Sequence, residues 1–131
     1  MMNRLHFQKI IFFLLVCLCV STTSRSEDSS IVVKIRQSFY QFGLLDNKVK
    51  VTSDCLNWSC PLVVEALKIK QKNQFFVEGK NPNALYCTQG LKGDIYVGEI
   101  SKFDQSPEVI QLCGLMGSFI ELSDVFYLRN K

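Results

Sequence analysis

Cys55, Cys60, Cys87 and Cys113 constrain this chain more than any other feature, because covalent crosslinks in so short a sequence decide which segments must end side by side. Four cysteines admit three pairings. Local spacing favours Cys55 with Cys60, closing a loop around Leu56-Asn57-Trp58-Ser59, and that leaves Cys87 with Cys113. A four-cysteine zinc site needs knuckles with roughly two to four residues between paired ligands, and only the first pair has such spacing. Redox-active pairs are usually Cys-x-x-Cys, which Cys55 and Cys60 do not match. The expectation is two structural disulfides.

Disulfides persist in oxidising compartments, and the N-terminus supplies a route there. Arg4 and Lys9 precede an uncharged apolar run, Ile10 to Val20, followed by the small residues around Ser24 and Ser26. This is the pattern of a signal peptide, residues 1–26, with cleavage after Ser24 or Ser26. The run is shorter than the about 20 apolar residues that span a bilayer, and no stretch of the mature chain reaches that length either, so no transmembrane segment is expected there. A lipoprotein cysteine at Cys17 or Cys19 is the rival reading, but bulky Val16 and Leu18 stand where lipoprotein processing requires a small residue.

Cleavage changes the chemistry left to the chain. Arg4, Lys9 and Arg25 leave with the signal, so the basic residues then equal the 12 acidic ones. The compositional argument for nucleic-acid binding goes with them. His6, the only histidine, goes too, which excludes imidazole bases and imidazole metal ligands. Neither a cofactor nor a metal is expected.

Along the mature chain, Ile31, Val33 and Ile35 alternate as in a strand, while Ile31, Ile35, Phe39 and Phe42 repeat as on a helix. A helix from Ser30 to Gly43 is the favoured reading. Lys48 to Thr52 reads as a strand after the Asp46-Asn47 turn. Pro61 to Lys72 reads as an amphipathic helix and Phe75 to Glu78 as a strand. Asp94 to Ile100, Val109 to Cys113 and Ser118 to Leu122 are strand-like, Met116-Gly117 is a turn, and Ser123 opens a final short helix. The predicted fold class is α+β: a short antiparallel sheet packed with three or four short helices and stapled by disulfides. Residues 27–80 form an N-terminal α+β segment and residues 81–131 a second one, together a single compact unit.

Asn81-Pro82-Asn83-Ala84-Leu85-Tyr86-Cys87-Thr88-Gln89-Gly90, followed by Cys113, Leu115, Gly117, Asp124, Phe126, Tyr127 and Arg129, resembles a family of small bacterial exported proteins, many of them lipoproteins. That family carries the label hemolysin and a domain of unknown function. The resemblance covers Asn81 to Lys131. Two positions depart from the family outline: Gly90-Leu91 replaces its double glycine, and Val125 stands where its helix carries tryptophan. Independently, Asn81 suits a helix N-cap, Pro82 the next position and Gly90 a left-handed exit.

Trp58, the only tryptophan, together with Tyr86, Phe126, Tyr127 and Arg129, are the candidate binding residues. Core packing is the competing account for the aromatic ones. Asn57-Trp58-Ser59 matches the glycosylation sequon, an accidental match in a bacterium. The expected function is a non-enzymatic binding or envelope-accessory protein, periplasmic or extracellular, with a protein or envelope component as partner. The alternative that the resemblance implies is a membrane-active, hemolysin-like secreted factor.

Overall fold

Strand geometry prevails over helical geometry at the start of the described chain, residues 30–71 and 73–129 of a computed structural model. The expected signal peptide, residues 1–26, lies outside the described residues. Ile31–Ile35 (β1) and Ser38–Leu45 (β2) form an antiparallel hairpin that places Ile31 opposite Phe42 and Ile35 opposite Ser38. This corrects the expected helix from Ser30 to Gly43. Its supposed apolar face is split, with Ile35 and Phe42 buried but Phe39 70% exposed. The turn was hidden because Arg36 takes its left-handed conformation, φ 57°, where glycine or asparagine is the usual signal.

Val49–Thr52 (β3), Asp94–Ile100 (β4), Glu108–Leu115 (β5) and Ser118–Glu121 (β6) complete a closed antiparallel barrel in the order β1-β2-β3-β6-β5-β4. The expected α+β fold, a sheet packed with three or four helices, is therefore wrong. Two meanders, β1–β2–β3 and β4–β5–β6, are joined along both seams, by β1 with β4 and by β3 with β6. Closure leaves no unpaired strand edge, which an open sheet of this size would have to protect.

The helical parts are smaller than expected. Pro61–Lys68 (α1) stops before Lys72 because Ile69 turns to extended backbone. The expected strand Phe75 to Glu78 is absent; a helical turn, Asn73–Phe75, leads into irregular chain there. Pro82–Leu85 (α2) is capped as expected, Asn81 accepting from the N–H groups of Asn83 and Ala84, and it runs on into a wider turn, Tyr86–Gly90. The left-handed exit falls at Lys92, φ 58°, and not at Gly90. Gly90 is small for a different reason, since the Phe75 ring would lie 2.8 Å from a Cβ there. The last described residues form a run of tight 3₁₀ turns, Leu122–Arg129, beginning one residue before the predicted Ser123.

Strand alternation sorts the apolar residues into two cores. Val33, Ile35, Phe42, Ile110, Leu112 and Phe119 fill the barrel, with Tyr40 and Tyr96 packed edge-on against Phe119 at 4.9 and 5.2 Å. On the outer side of β2, β3, β5 and β6, Leu45, Val49, Val51, Cys113 and Ile120 are covered by residues of α1, the Tyr86–Gly90 turn and the C-terminal segment. The strands at the β3–β6 seam are thus buried on both faces. Side chains reinforce that seam, where a single residue pair, Val51 with Ile120, is in register. Thr52 Oγ1 accepts from the Phe119 N–H at 2.9 Å, Ser118 donates to Asp54, and Lys50 meets Glu121 at 3.4 Å.

Gly114 lies on β5 against two aromatic rings of the barrel core. A Cβ there would lie 2.5 Å from the Phe119 ring and 2.7 Å from Tyr96. Gly114→Ala is expected to displace both rings and lower the unfolding free energy by about 1–3 kcal/mol. Chemical denaturation of the oxidised protein measures this, and an unchanged midpoint would contradict the packing described.

Candidate functional site

Both cystines expected from spacing are formed, Cys55 with Cys60 and Cys87 with Cys113. The first closes a loop in which the Trp58 N–H donates to the Cys55 carbonyl at 3.1 Å. Asn57 Oδ1 accepts from both the backbone N–H and the hydroxyl of Ser59. These bonds hold Trp58 at φ 62°, a left-handed conformation that bulky side chains rarely adopt. Strain of this kind persists only where the surroundings over-determine it, and the short cystine loop does so here.

The consequence is a placed aromatic ring. Trp58, half-buried, lies 6.2 Å from the ring of Tyr127 on the C-terminal segment. Lys48 Nζ stands 5.4 Å over the Tyr127 ring, a cation–π contact, and the Tyr127 hydroxyl donates to Asp46. Both partners flank or belong to the left-handed turn Asp46-Asn47 between β2 and β3. The neighbouring residue Phe126 makes a second set of ring contacts, inward to Tyr86 at 4.6 Å and outward to Phe76, which is stacked on it at 5.8 Å with 11° between the planes. Phe76 is 62% exposed.

Four of the five candidate residues are therefore in ring contact as two pairs, Trp58 with Tyr127 and Tyr86 with Phe126, that pack against one core from the cystine loop, the Tyr86–Gly90 turn and the C-terminal segment. Their roles divide by depth. Tyr86 is fully buried and also packs edge-on against Phe75 at 5.1 Å, so it belongs to the core. Trp58, Phe126 and Tyr127 pack against that core while keeping part of their surface in solvent. Arg129 ends the C-terminal segment, and its side chain lies outside the described residues. Asp46, Lys48 and Phe76 were not singled out in the sequence. The Asp46-Asn47 pair signals only a turn there, and the pairing of Phe76 with Phe126 depends on the fold.

The arrangement suits recognition by contact: rigid aromatic faces, a lysine and a carboxylate at the rim, and the Asn57 side chain locked in its own loop. The shifted carboxyls lie elsewhere. Glu65 is held below the ordinary carboxylate value chiefly by a hydrogen bond from Lys68, and Glu108 likewise by Lys102. Among the described residues no group of three or more metal-binding side chains is gathered, and no helix is long and apolar enough to cross a membrane. Compared with known proteins, the chain matches no family model, no curated protein and no solved structure.

Proposed function

We propose that the chain is an exported, non-enzymatic binding protein that captures a protein or another envelope component on the surface formed by Trp58, Tyr127, Phe126 and Phe76. The observation that carries this reading is Trp58 itself, held in a strained conformation by a cystine loop and left partly open to solvent. Tryptophan and tyrosine anchors that are rigid before binding lose little entropy on contact, which is why they dominate recognition surfaces. The two cystines and the signal-like N-terminus support a periplasmic or extracellular location. The resemblance of Asn81 to Lys131 to small exported bacterial proteins points the same way.

Trp58 is the only tryptophan, so its fluorescence reports on this surface alone. Immobilised oxidised protein is expected to retain a component of envelope or secreted fractions, and the purified component is expected to shift the emission of Trp58. Trp58→Ala is expected to weaken retention about 30-fold, the equivalent of ~2 kcal/mol, without loss of fold. Equal retention by the wild type and Trp58→Ala would sink the proposal.

A further inference from the structure

A second surface, on the outer side of α1, carries a different chemistry. Val64, Leu67 and Lys68 follow the i, i+3, i+4 spacing of one helical face, and all three point into solvent, Leu67 being 68% exposed. The buried face of α1 is made by Leu62, Val63 and Ala66, which leaves Leu67 outside it. Lys68 also borders a shallow depression in which Lys70 and Lys92 converge from the end of the helix and from the loop before β4. Gln71, Gln74 and Gln89 line the same depression, and its one carboxylate, Glu65, is paired with Lys68 at 2.7 Å, which leaves Lys70 and Lys92 as the excess positive charge. Lys92 holds a left-handed backbone to reach this position.

We propose that this face rests on an anionic lipid bilayer, with Val64 and Leu67 entering the headgroup boundary and Lys70 and Lys92 facing lipid phosphates. Apolar side chains projecting from a helix, with Lys68 on the same face and Lys70 and Lys92 in the depression beside it, match a membrane interface better than a protein groove, which supplies concave walls. A second copy laid face to face would bring the unmatched Lys70 and Lys92 against their own counterparts. Adsorption of this kind is independent of the aromatic site and would station the binding surface at the envelope without insertion or lysis.

The test is sedimentation of the oxidised exported chain with phosphatidylcholine vesicles, with and without phosphatidylglycerol. Binding is expected only to the vesicles containing phosphatidylglycerol, and it should weaken as salt rises. Each lysine near such a surface contributes roughly a fivefold gain in partitioning, so Lys70→Glu with Lys92→Glu is expected to reduce binding at least about 25-fold. Leu67→Ser should reduce it further. All three side chains are exposed, so an unchanged near-ultraviolet circular dichroism spectrum separates loss of contact from loss of fold. Trp58→Ala should bind the vesicles like the wild type, whereas its loss of binding would place the lipid contact on the aromatic surface and overturn the proposal. Absence of binding to anionic vesicles, or binding indifferent to the lysine reversals, would overturn it as well. So would release by inorganic phosphate but not by chloride at equal ionic strength, which would reveal a site for a free anion.

Discussion

Tyr86→Ala is expected to remove about 3–5 kcal/mol of stability, the range for deleting a buried aromatic ring. Tyr86 heads the buried side chains by volume and lies between two other rings, Phe75 edge-on at 5.1 Å and Phe126 tilted at 4.6 Å. Those rings belong to different segments, the Asn73–Phe75 turn and the C-terminal run, so one truncation loosens three pieces of the outer layer together. Collapse into the space is opposed by the cystine at the adjacent Cys87, which fixes the turn against β5. For a domain of this size, with a typical total of about 5–15 kcal/mol, the loss approaches the whole margin at the lower end. Urea denaturation of the oxidised protein should show a lower midpoint with little change in slope. Tyr86→Phe keeps both ring contacts and is expected to retain most of the stability. A loss below about 1 kcal/mol in Tyr86→Ala would mean that the ring is a surface element and not part of the core.

The depth of Tyr86 also shows what could be read from residues alone. Tyr86, Trp58, Phe126 and Tyr127 were picked out individually as candidates, but aromatic character cannot rank them by burial. Tyr86 precedes a buried cysteine in a turn covered from two sides, whereas Trp58 rides on a loop. The strands of the second meander were legible because each step has a local signal: β-branched and aromatic residues in Asp94–Ile100, the left-handed Met116-Gly117 turn, and strand-forming residues again in Ser118–Glu121. In the first meander β3 and its Asp46-Asn47 turn were legible but the β1–β2 hairpin was not, since Arg36-Gln37 is no usual hairpin turn and the spacing of Ile31, Ile35, Phe39 and Phe42 fits a helix equally well.

Closure of the barrel is a still harder property to read. The pairs that create it, Val33 with Ile100 and Val51 with Ile120, join residues far apart in sequence, and alternation along a strand does not name its partner. The side chains that reinforce the β3–β6 seam are equally silent: Thr52, Asp54 and Ser118 read as ordinary polar residues, yet Thr52 and Ser118 are buried. The aromatic site inherits this dependence, because Lys48 and Asp46 reach Tyr127 only after the first meander has met the C-terminal segment.

The two cystines are expected to contribute unequally, and removing Cys87–Cys113 should have the larger effect. Its ends are 26 residues apart in sequence, against 5 for Cys55–Cys60. Loop-closure entropy then assigns about 3–4 kcal/mol to the longer bridge and about 2 kcal/mol to the shorter one. The structural position adds to the contrast. Cys113 is opposite Ile95 on β4 and Ile120 on β6, in the middle of the second meander, and Cys87 belongs to the turn that covers it. Both sulfurs are fully buried, so alanine, which leaves no polar atom behind, is the suitable replacement. Cys87→Ala with Cys113→Ala should unfold at clearly lower denaturant than Cys55→Ala with Cys60→Ala. The second pair should keep the barrel but free Trp58 from its fixed conformation, which broadens and shifts its emission before any unfolding begins. Equal midpoints for the two double variants, or an unaltered Trp58 signal in the second, would show that neither bridge carries the role its place in the barrel implies.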